Sequence, residues 1–309
     1  MKIVFMGTPE FAVPALEKLI KSGHDIALVV SQPDAKRDRG EKFKPTPVKA
    51  KAEEWGIPVV QPQHIKNNSE FLRLLSGLKP DLIIVVAYGK ILPKEILELP
   101  PKGCINIHGS LLPKYRGAAP IQRAILEGET QTGVTLMLME EGLDSGDMLA
   151  WTNTTTEGKT AGMLHDELSV SGADLLMDML PLIEAGEVTR IPQDHEKASS
   201  APMIFKTDGH VDFSKSAVAI ERQIRAMNPW PTAYAIYHGM QMKFLAGVAD
   251  SNRTTSIPGT ILSVSDRGIE IATAEGILLV TDIQMPGKKK MPVREFIRGN
   301  HIEINYILE

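Results

Sequence analysis

The run Asp81-Leu82-Ile83-Ile84-Val85-Val86-Ala87 is apolar at every position after the first. A strand with one wetted face alternates polar and apolar side chains. A run without alternation therefore needs cover on both faces, as in a parallel sheet flanked by helices. Neighbouring patterns supply those helices. Residues 2–6 predict an apolar strand, 9–21 a helix with Phe11, Ala15, Leu16 and Leu19 on one side, and 25–31 a second strand after a stop at Gly23. Thr46-Pro47 pairs an N-cap residue with a proline at the first helical position and opens a helix to Trp55. Further strands are expected at 105–108 and 134–139 with a helix at 120–127 between them, then a long helix over 160–184 interrupted near Pro181. The fold class that follows is α/β, a Rossmann-like doubly wound parallel sheet.

With 309 residues, the chain exceeds the usual size of one domain. After Glu187 the pattern changes, and 190–207 mixes proline, serine and charge with little periodicity. A helix at 216–226 then precedes brief strands at 233–237, 242–248, 260–264, 268–272 and 277–283, separated by turn residues such as His238-Gly239 and Glu275-Gly276. Short, evenly spaced strands suggest a small barrel. The expected organisation is a first domain over 1–189, a linker over 190–206 and a second domain over 207–309.

An apolar share of 43%, a charged share of 23% and no apolar run of membrane-spanning length predict a soluble chain. Residues 1–7 run straight into a core strand, so no signal peptide is expected. Cys104 is the sole cysteine, which excludes an intramolecular disulfide and a cysteine-based metal cluster and points to a cytoplasmic, reducing location. Inside an apolar strand, it reads as a structural thiol rather than a nucleophile. The net charge is −4, and the region 206–309 is close to balance, too weakly basic to prove a nucleic-acid partner.

Chemistry concentrates in Cys104-Ile105-Asn106-Ile107-His108-Gly109-Ser110-Leu111-Leu112-Pro113 and in Leu143-Asp144-Ser145-Gly146-Asp147. Strand alternation places Asn106 and His108 on one face at a carboxyl end, where open α/β sheets hold ligands. An amide, an imidazole and a carboxylate from Asp144 can bind a developing oxyanion, move a proton and orient the imidazole. Acyl transfer without a covalent enzyme intermediate requires those functions. Each residue also has a structural reading: His108 as a core histidine, Asn106 as a strand-end hydrogen-bonder, Asp144 as a turn residue. No two His or Cys stand at ligand spacing beside them, so no metal is expected. Gly7-Thr8-Pro9 occupies the turn of a dinucleotide fingerprint, but GxGxxG and Walker A sequences are missing, which argues against a nicotinamide dehydrogenase. The segment 32–45 reads as a mobile charged loop. Its cations Lys36, Arg37, Arg39, Lys42 and Lys44, with Lys49 beyond, either meet phosphates or are simply solvated.

Phe5-Met6-Gly7-Thr8-Pro9-Glu10-Phe11, Ser31-Gln32-Pro33-Asp34, Val86-Ala87-Tyr88-Gly89, the stretch 106–120 and Gly142-Leu143-Asp144-Ser145-Gly146-Asp147 occur in this order. On these motifs the chain resembles the methionyl-tRNA formyltransferase family over essentially its full length. Asn-x-His and the downstream Asp belong to the wider folate-dependent formyltransferase superfamily, so they imply the reaction class. The alternative acceptor is a small amine, a sugar nucleotide or purine precursor. Arg39-Gly40, Asn228-Pro229-Trp230-Pro231 and Gly287-Lys288-Lys289-Lys290 resemble the tRNA branch, whereas Ala35-Lys36-Arg37-Asp38 departs from the Pro and Gly usual there.

The resemblance implies 10-formyltetrahydrofolate as donor, the α-amino group of methionyl initiator tRNA as acceptor, and Asn106, His108 and Asp144 as catalytic. It implies a folate pocket along Tyr88, Gly89, Ile91, Leu92 and Pro93, completed by Ser110, Leu111, Leu112 and Pro113. It further implies tRNA contacts from Arg37, Arg39, Lys42 and Lys44, with Arg39 at the acceptor end. Lys288, Lys289 and Lys290 would add phosphate contacts on an OB-like C-terminal barrel. No metal, membrane or obligate protein partner is implied.

Overall fold

The computed structural model describes residues 1–37, 42–252 and 254–309. The chain opens with β1 (Lys2–Gly7), α1 (Val13–Lys21) and β2 (Asp25–Val30), and the expected helix at 9–21 winds its first turn as a 3-10 helix, Glu10–Ala12. Where the sequence suggested a mobile loop, β3 (Ala35–Arg37) and β4 (Lys42–Lys44) pair as an antiparallel ladder. Thr46 caps α2 (Pro47–Glu54), its Oγ1 accepting from the Lys49 N–H at 3.2 Å. After β5 (Val59–Val60) comes a helix the sequence reading missed, α3 (Ser69–Leu78), capped by Asn68. The apolar run forms β6 (Leu82–Val86), buried throughout. Next come α4 (Lys94–Leu97), β7 (Cys104–His108), β8 (Arg116–Gly117), α5 (Pro120–Leu126), β9 (Gln131–Leu138) and β10 (Met148–Thr155). Helix α6 (Ala161–Ala185) runs through Pro181 without the expected interruption. Its last turns are held by buried Leu180 and Ile183, which offset the missing N–H. Finally β11 (Ser200–Ala201) pairs in parallel with β8.

The main sheet has the order β10-β9-β7-β6-β1-β2-β5. Five strands, β7 to β5, are parallel, but β9 runs antiparallel to β7 and β10 antiparallel to β9. The expected doubly wound parallel sheet is present, with β9 and β10 added antiparallel at one edge. A parallel return needs a crossover element lying on the sheet. The chain between β7 and β9 instead forms the β8 turn and α5, nearly all of which packs in the second unit. One face of the sheet buries Val4, Met6, Ile83 and Val85 against Phe71 and Leu75 of α3 and Ile96 of α4. Cys104 closes this layer, and burial pushes its thiol up to about 12. The opposite face meets α6 at Gly172, where an added Cβ would lie 2.8 Å from Ile107 Cγ2.

Two compact units are present: 1–120, 131–155 and 165–201 form the first, and 121–130, 156–164 and 202–309 the second. The segment expected to be a linker therefore counts with the first unit up to residue 201. In the second unit, α7 (Ala217–Ala226) precedes β12 (Ala233–Tyr237), β13 (Met240–Asp250), β14 (Ile261–Ser265), β15 (Gly268–Ala272), β16 (Ile277–Gln284), β17 (Met291–Pro292) and α8 (Val293–Phe296). The sheet is antiparallel in the order β12-β13-β16-β15-β14. Its two edges are joined by the terminal segment: the Ile236 N–H donates to the Glu309 carbonyl, and the Ile261 N–H to the Tyr306 carbonyl. The resulting barrel encloses Phe244, Ile261, Ile271, Leu278 and Val280, with Ile220 and Ile224 of α7 against them. Among the described residues no helix is long and apolar enough to cross a membrane.

Candidate active site

Asn106 and His108 project from the same face of β7, as alternation demands, and the loop after β9 folds back to bring Asp144 against both. Asn106 Nδ2 donates to Asp144 Oδ1 at 3.5 Å, and His108 Nδ1 lies 3.6 Å from Asp144 Oδ2. His108 is 5% exposed. Its other ring nitrogen, Nε2, is 2.9 Å from the Tyr115 carbonyl. A carbonyl only accepts, so Nε2 carries a proton and donates it, leaving Nδ1 as the nitrogen that can exchange one. Asp144 occupies the left-handed region with φ 49°, a costly conformation for a residue with a Cβ. The Gly117 N–H compensates by donating to Asp144 Oδ2 at 2.9 Å.

Several partners of this trio escaped the sequence reading. Gln193, buried, donates from Nε2 to the carbonyls of Asp144 at 2.9 Å and Gly146 at 2.7 Å. Its Oε1 accepts from Arg116 Nε at 3.1 Å and Nη2 at 2.7 Å. Ser199 accepts the Tyr115 N–H on its hydroxyl, and the Arg116 N–H on its carbonyl. Residues 191–201 therefore fasten the turns that hold His108 and Asp144. The only hint in the sequence was Arg116-Gly117 inside a stretch of Gly and Pro.

The segment after β6 turns sharply through Ala87 (φ 46°) and Gly89 (φ 82°). The Tyr88 side chain enters the core at 2% exposure, its hydroxyl has no hydrogen-bond partner among the described residues, and burial pushes its pKa up to about 12. Its carbonyl accepts from Thr8 Oγ1 and Gln32 Nε2, both at 3.1 Å. Tyr88 is thus placed to shape the segment, not to offer its ring to a ligand. Leu92 is buried, whereas Ile91 is 77% exposed and Gly89 and Pro93 flank it on the turn. Ser110 is fully buried and donates to the Lys114 carbonyl, while Leu111 and Pro113 stay half-buried beside buried Leu112.

Arg39 lies outside the described residues, as do the side chains of Arg37 and Lys42, whose backbones pair across β3 and β4. Lys44 is exposed. Lys49, counted among the loop's cations, is instead engaged by Asp34 at 2.6 Å and Gln61 at 3.0 Å. Lys288, Lys289 and Lys290 are exposed on the β16–β17 turn of the second unit. Lys288 is partly engaged, donating to Asn300 and lying 5.3 Å over the Phe296 ring.

Residues 1–180 match the formyl transferase family, and 203–301 the formyl transferase C-terminal domain. The methionyl-tRNA formyltransferase of Clostridioides difficile (strain 630) is 50% identical over 309 residues, covering 100% of both chains. That of Alkaliphilus oremlandii (strain OhILAs) is 49% identical, covering 100% of this chain and 99% of its own. The chain belongs to the methionyl-tRNA formyltransferase family. Two solved structures share the fold of this formyltransferase. WlaRD, a sugar 3N-formyl transferase, has a TM-score of 0.67 at 19% identity, over 94% of this chain and 99% of its own. HypX from Aquifex aeolicus in complex with tetrahydrofolic acid has a TM-score of 0.64 at 20% identity, over 97% of this chain and 47% of its own.

Proposed function

We propose that the chain transfers the formyl group of 10-formyltetrahydrofolate to the α-amino group of methionyl initiator tRNA. The observation that carries this reading is the full-length identity of about half to methionyl-tRNA formyltransferases. The assembled Asn106, His108 and Asp144 support it. In this reading 1–189 carries the chemistry, while 207–309, with Lys289 and Lys290 exposed, and the loop around Arg39 engage the tRNA. Tyr88 to Pro93 and Ser110 to Pro113 border the folate, Ile91 being the apolar side chain there most exposed to cover its ring.

The neutral amine attacks the formyl carbon and forms the new N–C bond, and the carbonyl electron pair becomes an oxyanion. Asn106 has a second amide N–H to donate to that oxyanion, and His108 adds Nδ1–H when protonated. Asp144, through water, takes the amine proton. Collapse breaks the bond to N10 of the folate, which recovers a proton and leaves as tetrahydrofolate. Because Nε2 is engaged by Tyr115, the proton that His108 relays belongs to Nδ1, facing Asp144.

The test is formyl transfer from radiolabelled 10-formyltetrahydrofolate to methionyl initiator tRNA, with methionyl elongator tRNA and uncharged initiator tRNA in parallel. Transfer to the charged initiator alone is expected. Transfer only to a small amine such as an amino-sugar nucleotide would overturn the acceptor and retain the chemistry.

A further inference from the structure

We infer that Gln193 is a positioning residue for formyl transfer, its carboxamide holding the Asp144 loop in register with His108 and Asn106. The inference rests on the function proposed above. Gln193 lies 49 residues from Asp144 and 77 from Arg116 in the chain, yet its amide is saturated by these two segments. Both N–H donors go to loop carbonyls, and Oε1 takes two guanidinium donors from Arg116. The orientation is unambiguous, since a flipped amide would face oxygen to two carbonyls and nitrogen to a cation. Arg116 is itself fixed, its N–H bonded to the Ser199 carbonyl at 2.8 Å. The residues on either side of it hold two members of the site, Tyr115 through its carbonyl to His108 and Gly117 through its N–H to Asp144.

A loop with Asp144 at positive φ does not keep this conformation by local preference, and Gln193 ties it at two carbonyls within three residues. Without that tie, the carboxylate drifts from His108 while the folate and tRNA surfaces stay intact. The predicted signature is therefore a loss in kcat with little change in KM.

Gln193→Met removes all four bonds at similar length. Gln193→Glu keeps the Arg116 contact but turns oxygen toward two carbonyls. Each is expected to lower kcat about tenfold to a hundredfold, with KM for 10-formyltetrahydrofolate within about threefold, as for a small misplacement of a reacting group. In an Asp144→Asn background, Gln193→Met is expected to cost less than about threefold more, because its effect runs through that carboxylate. Equal losses in both backgrounds, or an unchanged kcat, would overturn the inference. Hydrogen–deuterium exchange gives a readout independent of the acceptor: in both variants peptides covering 140–147 and 115–119 should exchange faster than in wild type, with β1 and β6 unchanged. Unaltered exchange there overturns the positioning role even if no acceptor is formylated. A wild-type enzyme that fails to formylate methionyl-tRNA, with faster exchange in the variants, sinks the functional reading and leaves the positioning role standing.

Discussion

At the scale of single residues, the site depends on which hydrogen-bonding capacity remains after the fold has used its share. Tyr115 takes Nε2 of His108, Gly117 takes one oxygen of Asp144, and Asn106 spends one amide N–H on Asp144, the second being the one the proposed mechanism gives to substrate. Preorganised donors of this kind contribute in the transition state more than in the ground state. Asn106→Ala and His108→Ala are accordingly expected to lower kcat by about a hundredfold to a thousandfold each, with smaller effects on folate affinity. Stopped assays of formyl-methionyl-tRNA at saturating donor check this, and a variant with wild-type turnover removes that residue from the mechanism.

At the scale of elements, the entrance to α2 shows how polar groups are satisfied next to the charged segment. Thr46 caps the helix and meets Ser31 Oγ at 2.6 Å, while Asp34, Lys49 and Gln61 form a half-buried network beside it. Burial alone would raise the Asp34 carboxyl, but hydrogen bonds from Lys49 and Gln61 outweigh it and hold the group below its ordinary value. A depressed carboxyl stabilises the fold above the unfolded-state pKa, about 3.9, and that contribution is lost as pH falls through the lower folded value. Asp34→Asn should thus lower the melting temperature of the first unit by about 1–2 °C at pH 7. The gap between variant and wild type should begin to narrow once pH falls to about 4 and shrink further as the folded carboxyl protonates, as calorimetry across pH would record. A gap that stays the same size as pH falls from about 7 into the acid range would mean that the carboxylate charge is not what stabilises the network.

At the scale of the whole molecule, Asn106, His108 and Asp144 lie in the first unit and the basic turn at Lys288 to Lys290 in the second. A net charge of −4 leaves little long-range attraction for a polyanion, so binding must come from local clusters. Replacing Lys288, Lys289 and Lys290 by Gln together should weaken tRNA binding. It should also reduce the slope of log affinity against log salt by up to about two to three units, one per lost phosphate contact. Lys288 is expected to account for the smallest share, being already engaged by Asn300 and Phe296. Filter binding over a salt series measures this, and an unchanged slope would assign the turn to solvent.

What the sequence determined by itself is what short-range geometry encodes. Doubly apolar runs such as β6 required a covered sheet, and the two-residue period put Asn106 and His108 on one face. Thr46-Pro47 marked a helix start, and the order of motifs pointed to the family. Tertiary structure decided whatever depended on partners distant in the chain. Thus β9 runs antiparallel to β7, and α6 continues through Pro181 because buried neighbours hold it. Lys49 is drawn to Asp34 rather than left to a ligand, and Tyr88 turns its ring into the core. Gln193 carries no local signal, since a lone glutamine in an irregular segment has no periodicity to betray it. Its role arises only where packing brings residues 116, 144 and 193 together, because hydrogen-bond partners so far apart in sequence are selected by the fold and not by backbone preference.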